Sequence, residues 1–171
     1  MNLVLELPTP ADTERLGRAV GRLLRARDLV VLSGPLGAGK TVLARGIGAG
    51  LVVRGPITSP TFVIARVHPA LPGGRGVPLV HVDAYRLGGI AELDDLDLDT
   101  DLLAAAVVVE WGEGLAERLA EEYLLIRLQR RDVSGDGSSD DHRIAQLCGP
   151  DRLIPDPACL MAARQPELCK P

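Results

Sequence analysis

The sequence predicts an α/β fold, a three-layer sandwich around a mostly parallel central sheet, and three observations carry the prediction. Short runs rich in Leu, Val and Ile alternate with stretches of helical periodicity along the 171 residues, the order that builds a parallel sheet with helical crossovers. One such run leads into Gly34-Pro35-Leu36-Gly37-Ala38-Gly39-Lys40-Thr41, which fits the pattern G-x-x-x-x-G-K-[ST] at every fixed position. Two later runs, Leu79-Val80-His81-Val82-Asp83 and Ala106-Val107-Val108-Val109-Glu110, each end in a carboxylate. Ligands in open parallel sheets bind beyond the carboxyl ends of the strands.

Taken in order, Asn2 to Leu7 reads as a first short strand. Thr9-Pro10-Ala11-Asp12 is a helix start, with an N-cap threonine, proline at the first helical position and an acid at the third. Leu16, Val20, Leu23 and Leu24 then give one apolar face. Leu29 to Leu32 is a buried strand entering the glycine-rich loop, and Thr41 to Leu51 continues as a helix expected to fray around Gly46, Gly48 and Gly50. Phe62 to Ala65 is a candidate strand, Pro69 to Gly76 a Pro/Gly loop, and Leu79 to Val82 a strand. The apolar run from Ala104 to Val109 precedes a predicted helix from Leu115 to Glu122 and a strand from Leu124 to Leu128. Ser134 to Asp141 reads as a polar loop, and Ile144 to Leu147 closes the sheet. These elements suggest a domain over residues 1–149. The remainder, 150–171, holds five prolines with weak periodicity and reads as a Pro-rich appendage with a short helix around Ala158 to Gln165.

Composition narrows the functional classes. The net charge is −4, and a chain that grips RNA by itself usually shows a basic stripe. The one concentrated basic group, Arg127, Arg130 and Arg131, is explained as a solvated strand end, so any role near nucleic acid runs through partners. The longest apolar run, Leu102 to Val109, is about eight residues, far short of the roughly 18 that span a bilayer. The first residues show no positive stretch with a cleavage site, so a cytoplasmic location without membrane contact is expected. Cys148, Cys159 and Cys169 lack zinc-ligand spacing and suggest no disulfide framework. His68, His81 and His142 are too scattered to suggest a metal centre.

Lys40 stands out because the chain almost avoids lysine: 17 of its 19 basic residues are arginine, and the other lysine is Lys170. In a P-loop NTPase-like fold the glycines let backbone N–H groups turn toward phosphates. The lysine supplies a compact charge for the β- and γ-phosphates, and the Thr41 hydroxyl becomes a Mg²⁺ ligand. Asp83 and Glu110 are candidates for holding Mg²⁺ and for orienting an attacking water. His81 shares a strand face with Asp83 and is favoured as a packed, hydrogen-bonded histidine over one that positions the carboxylate or contacts a partner. Trp111 either walls the site or sits at an interface, and packing alone accounts for it equally well. Thr58-Ser59-Pro60-Thr61-Phe62 is either a turn into a strand or a switch-like segment whose hydroxyls sense the γ-phosphate or Mg²⁺.

Together these residues resemble a known family. Leu36-Gly37-Ala38-Gly39-Lys40-Thr41, Ser59-Pro60-Thr61-Phe62, His81-Val82-Asp83-Ala84-Tyr85-Arg86 and Val109-Glu110-Trp111 occur in the order seen in TsaE (YjeE), over about residues 3 to 148. The resemblance implies a Mg²⁺-dependent ATPase for threonylcarbamoyladenosine in tRNA, slow by itself. It would work with the TsaB–TsaD pair that modifies adenosine 37 of ANN-decoding tRNAs, reaching tRNA only through those partners. Carried over, the nucleotide contacts are Pro10, Gly34, Leu36, Gly37, Ala38, Gly39, Lys40 and Thr41, with Pro10 near the adenine. The Mg²⁺ ligands are Thr41 and Glu110, and the catalytic residues are Lys40, Asp83 and Glu110, the two acid roles being exchangeable at this point. Pro35 departs from the family, which often has an acid there, and the tail after Gly149 has no counterpart. A small-molecule kinase on the same loop and a nucleotide-sensing binding module are the alternatives. A GTPase is disfavoured because neither lysine lies in an Asn-Lys-x-Asp context.

Overall fold

The computed structural model describes residues 1–58, 64–87, 90–96, 98–131 and 142–162. Among the described residues seven strands form one sheet: β1 (Asn2–Leu7), β2 (Leu29–Ser33), β3 (Ala65–His68), β4 (Leu79–Asp83), β5 (Ala106–Glu110), β6 (Tyr123–Arg130) and β7 (Arg143–Cys148), in the order β1-β7-β6-β2-β5-β4-β3. The inner four, β6, β2, β5 and β4, run parallel. β3, β7 and β1 add antiparallel flanks, so the predicted parallel core lies within a mixed sheet.

Burial follows position in the sheet. Every residue of β4 and β5 is buried, as are Leu29 to Leu32 of β2, because parallel strands are covered on both faces and read as continuous apolar runs. β1 and β7 alternate toward solvent as flanking antiparallel strands do. On one face, Val30, Leu32, Val108 and Ile126 pack against Leu16 and Val20 of helix α1 (Pro10–Leu23) and Leu43 and Ile47 of helix α2 (Lys40–Leu51). On the other, Val31, Val82 and Val109 pack against Leu93 of α3 (Ile90–Asp94) and Leu98 and Leu102 of α4 (Leu98–Leu102). These are the three layers.

The start of α1 is as expected. Thr9 Oγ1 accepts from the Asp12 backbone N–H at 3.2 Å while Asp12 Oδ2 accepts from the Thr9 N–H at 3.0 Å, a reciprocal capping box. The expected fraying of α2 does not occur: the helix is continuous from Lys40 to Leu51. Glycine in a helix interior costs about 1 kcal/mol relative to alanine, but these glycines are packing contacts. A Cβ on Gly46 would lie 2.2 Å from the Glu14 carbonyl oxygen, and one on Gly50 would lie 2.3 Å from that of Arg18. Gly17 and Gly21 of α1 meet the Leu43 and Ile47 carbonyl oxygens at 2.2 Å in the same way. Gly48 faces elsewhere, against Ile57. The two helices touch backbone to backbone, and that closeness holds α2 together.

The helix expected over Leu115 to Glu122 reduces to a 3₁₀ turn, Glu117–Leu119. Gly112 and Gly114 precede it and only Ala116 there is fully buried, which leaves too little apolar face for a longer helix. Of the strand expected over Phe62 to Ala65, Phe62 and Val63 lie outside the described residues, as do most of Thr58 to Phe62 and all of the Ser134 to Asp141 loop, and β3 begins at Ala65. Past β7 the chain makes a 3₁₀ turn (Asp151–Leu153), and Leu153 and Ile154 enter the core beside α1. Helix α5 (Pro157–Ala162) follows, the remainder of the expected Ala158–Gln165 helix lying outside the described residues. Among the described residues no helix is long and apolar enough to cross a membrane.

Candidate functional site

β2, β4 and β5 are neighbours in register, and their carboxyl ends open on one cleft of about 450 Å³ at the start of α2. The glycine-rich loop leaves β2 at Ser33 and needs left-handed backbone at Gly37 (φ 75°) and at Gly39 (φ 104°), which caps α2. Those conformations cost a side-chain-bearing residue about 1–2 kcal/mol each, which is why glycine holds them. Lys40 opens the helix and turns back into the loop, its Nζ donating to the carbonyls of Gly34 at 2.7 Å and Pro35 at 2.9 Å. Nζ also sits 3.5 Å from the centre of the Trp111 ring, a cation–π contact. Burial pushes the Lys40 ammonium below its usual value, with the Glu110 and Asp83 carboxylates opposing that shift.

The two acids come together because Asp83 and Glu110 are register partners on adjacent parallel strands. Both are buried. Glu110 Oε2 accepts from the Thr41 hydroxyl at 3.1 Å, and Oε1 lies 2.9 Å from His81 Nε2. Asp83 Oδ1 accepts from the Tyr85 backbone N–H at 3.1 Å. Thr41 and Glu110 thus present a hydroxyl and a carboxylate to one point. Oxygen donors of this kind suit a hard cation such as Mg²⁺, so the residues present fit the group.

Trp111 follows Glu110 in left-handed backbone, φ 60°. Its backbone N–H donates to the Leu32 carbonyl at 2.9 Å, and its ring meets Tyr85 at 5.0 Å between centroids. Those contacts, with the Lys40 ammonium on the ring face, offset the backbone cost and wall one side of the cleft.

Of the residues singled out in the sequence, Pro10, Leu36, Gly37, Gly39, Lys40, Thr41, Asp83 and Glu110 all line this cleft. Gly34 and Ala38 are not among its lining residues. Gly34 presses against the Leu128 carbonyl, where a Cβ would approach to 2.2 Å, and Ala38 is fully buried. Four cleft residues were given no role from the sequence: Thr13, Val42, Tyr85 and Arg143. Arg143 is buried and its Nε donates to the Ala38 carbonyl at 3.2 Å, tying β7 to the loop. The available signal was its phase: Arg143 alternates with Ala145 and Leu147, which face the core. Thr13 lies on α1 with its hydroxyl buried and without a hydrogen-bond partner among the described residues. Nothing local in the sequence marks it.

Comparison with known proteins gives one answer. Residues 7–137 match the family profile described as "Threonylcarbamoyl adenosine biosynthesis protein TsaE". A Streptomyces coelicolor protein named tRNA threonylcarbamoyladenosine biosynthesis protein TsaE is 65% identical over 116 residues, spanning 67% of this chain and 77% of its own. Namesakes from Mycobacterium tuberculosis (60% over 131 residues, 72% and 77%) and Bacillus subtilis (34% over 123 residues, 71% and 73%) are also similar. Among solved structures, Bacillus subtilis YdiB shares the fold, with a TM-score of 0.65 at 24% identity over 95% of this chain and 93% of that one.

Proposed function

This chain belongs to the TsaE family of tRNA threonylcarbamoyladenosine biosynthesis proteins, and on that premise we propose that it is a Mg²⁺-dependent ATPase acting with the TsaB–TsaD pair on adenosine 37 of ANN-decoding tRNAs. The observation that carries the reading is the convergence of Lys40, Thr41, Glu110 and Asp83 on one cleft at the end of the parallel strands.

The loop N–H groups cradle the phosphates. The Lys40 ammonium leaves the Gly34 and Pro35 carbonyls for the β- and γ-phosphates, a short reorientation of a flexible stem. Thr41 and Glu110 would hold Mg²⁺, which would supply charge neutralisation to the bound phosphates. The Thr41–Glu110 hydrogen bond favours Glu110 for the metal, leaving Asp83 to orient the attacking water or take its proton. Pro10 and Thr13 border the cleft at the start of α1, in keeping with a place for the adenine. A net charge of −4 suits contact with protein partners rather than with tRNA itself, and a cytoplasmic site of action accords with that role.

The test is reconstitution of the tRNA modification from purified components with and without this protein. Modification should require the protein, ATP and Mg²⁺. Modification that proceeds equally without it, or phosphoryl transfer to a small molecule faster than to water, would overturn the reading.

A further inference from the structure

We propose that His81 is a positioning residue that fixes the plane of the Glu110 carboxylate for the cation. The inference rests on the metal reading of Thr41 and Glu110 given above.

Three observations carry it. His81 is fully buried on β4, on the α2 face of the sheet, between apolar Val80 and Val82. A polar ring in that position costs free energy unless it makes a compensating bond, and the bond it makes is to Glu110, at 2.9 Å. Glu110 is then held at both oxygens: His81 Nε2 reaches Oε1 from β4, and the Thr41 hydroxyl reaches Oε2 from α2. Two donors on separate elements remove the free rotation that a glutamate carboxylate otherwise keeps. Finally, His81 Nδ1 is buried with no hydrogen-bond partner among the described residues. Buried orphan N–H groups are rarer than under-used acceptors, so the ring proton belongs on Nε2, where it donates to the carboxylate. A hydrogen bond donated from Nε2 fixes the orientation in which the Glu110 carboxylate faces the cation. Hydrogen-bond partners of metal ligands commonly contribute 10–100-fold to metal affinity.

The experiment uses the full chain with AMP-PNP and Mn²⁺ as the probe, free and bound Mn²⁺ being separated by electron paramagnetic resonance. His81→Leu should raise the Mn²⁺ dissociation constant about tenfold or more, with AMP-PNP affinity in EDTA retained. His81→Gln, whose amide N–H occupies the Nε2 position, should restore most of the loss. His81→Met, also without a donor, replaces the leucine variant if that chain does not fold. Unchanged Mn²⁺ affinity in the donor-free variant overturns the proposal, as does equal weakening in the glutamine variant, which would make the role one of packing. A wild-type complex that binds no Mn²⁺ removes the metal site itself and this inference with it, an outcome distinct from either.

Discussion

At the scale of the residue, the cleft concentrates its chemistry in side chains already held by something else. Lys40 is bound to two loop carbonyls and lies over the Trp111 ring. Lys40→Ala should therefore abolish measurable ATP binding in calorimetry while the thermal midpoint moves by only a few degrees, since about 1 kcal/mol per net hydrogen bond is at stake. Lys40→Arg should not restore binding, because a planar fork does not replace a point charge. Asp83→Asn and Glu110→Gln should each slow single-turnover hydrolysis about 10²-fold or more while nucleotide is still retained. Near-normal hydrolysis in both would return these acids to a structural role. His68 offers a pH test away from the cleft. Burial holds its imidazole below the ordinary value of 6.5, and its Nδ1 lies 3.2 Å from the Arg54 carbonyl. The unfolded chain takes up the proton first, so stability from this group is fully present above 6.5 and falls as pH drops through that value toward the lower folded one. Urea midpoints between about pH 8 and 5 should fall in wild type and fall less in His68→Asn, which keeps a donor near Nδ1 without titrating.

At the scale of the element, the contact between α1 and α2 fixes the cleft. α1 brings Pro10 and Thr13, α2 brings Lys40 and Thr41, and the glycine pairs set how closely the two helices approach. Gly46→Ala would improve helix propensity by about 1 kcal/mol. It would also place a methyl 2.2 Å from the Glu14 carbonyl, and overpacking against backbone costs about 1–3 kcal/mol. The net expectation is a lower thermal midpoint together with weaker nucleotide binding as the helices separate. A rise in the midpoint would show that the helices yield more easily than the geometry suggests.

At the scale of the whole molecule, the strand ends gather the site on one rim, with exposed Leu36 and Tyr85 at its edge. Binding to the TsaB–TsaD pair should be tighter with ATP or AMP-PNP than with ADP, because a ligand shifts a conformational equilibrium only by its differential affinity for the two states. Hydrolysis by the isolated chain should be slow and should rise on adding the pair. Pull-downs across nucleotide states with a stimulated ATPase assay decide this, and association indifferent to nucleotide would favour a binding module.

The sequence by itself determined the strand–loop–helix unit, the boundaries of β1 and the start of α1, and the acids that close β4 and β5. Each is written in contiguous residues: an apolar run, a capping threonine with proline and aspartate, glycines at left-handed positions. Local pattern misjudged α2, because a helix rich in glycine looks weak until α1 is seen lying against it, and misjudged Leu115 to Glu122, whose periodicity has too little surface to cover. What only the tertiary structure decided were the cross-chain relations. Glu110 meets Thr41 and His81, Arg143 reaches the Ala38 carbonyl from β7, and Thr13 lies against the loop at Gly39. The residues in these contacts lie up to 105 positions apart in the chain, and sheet order, which no local run encodes, makes them neighbours.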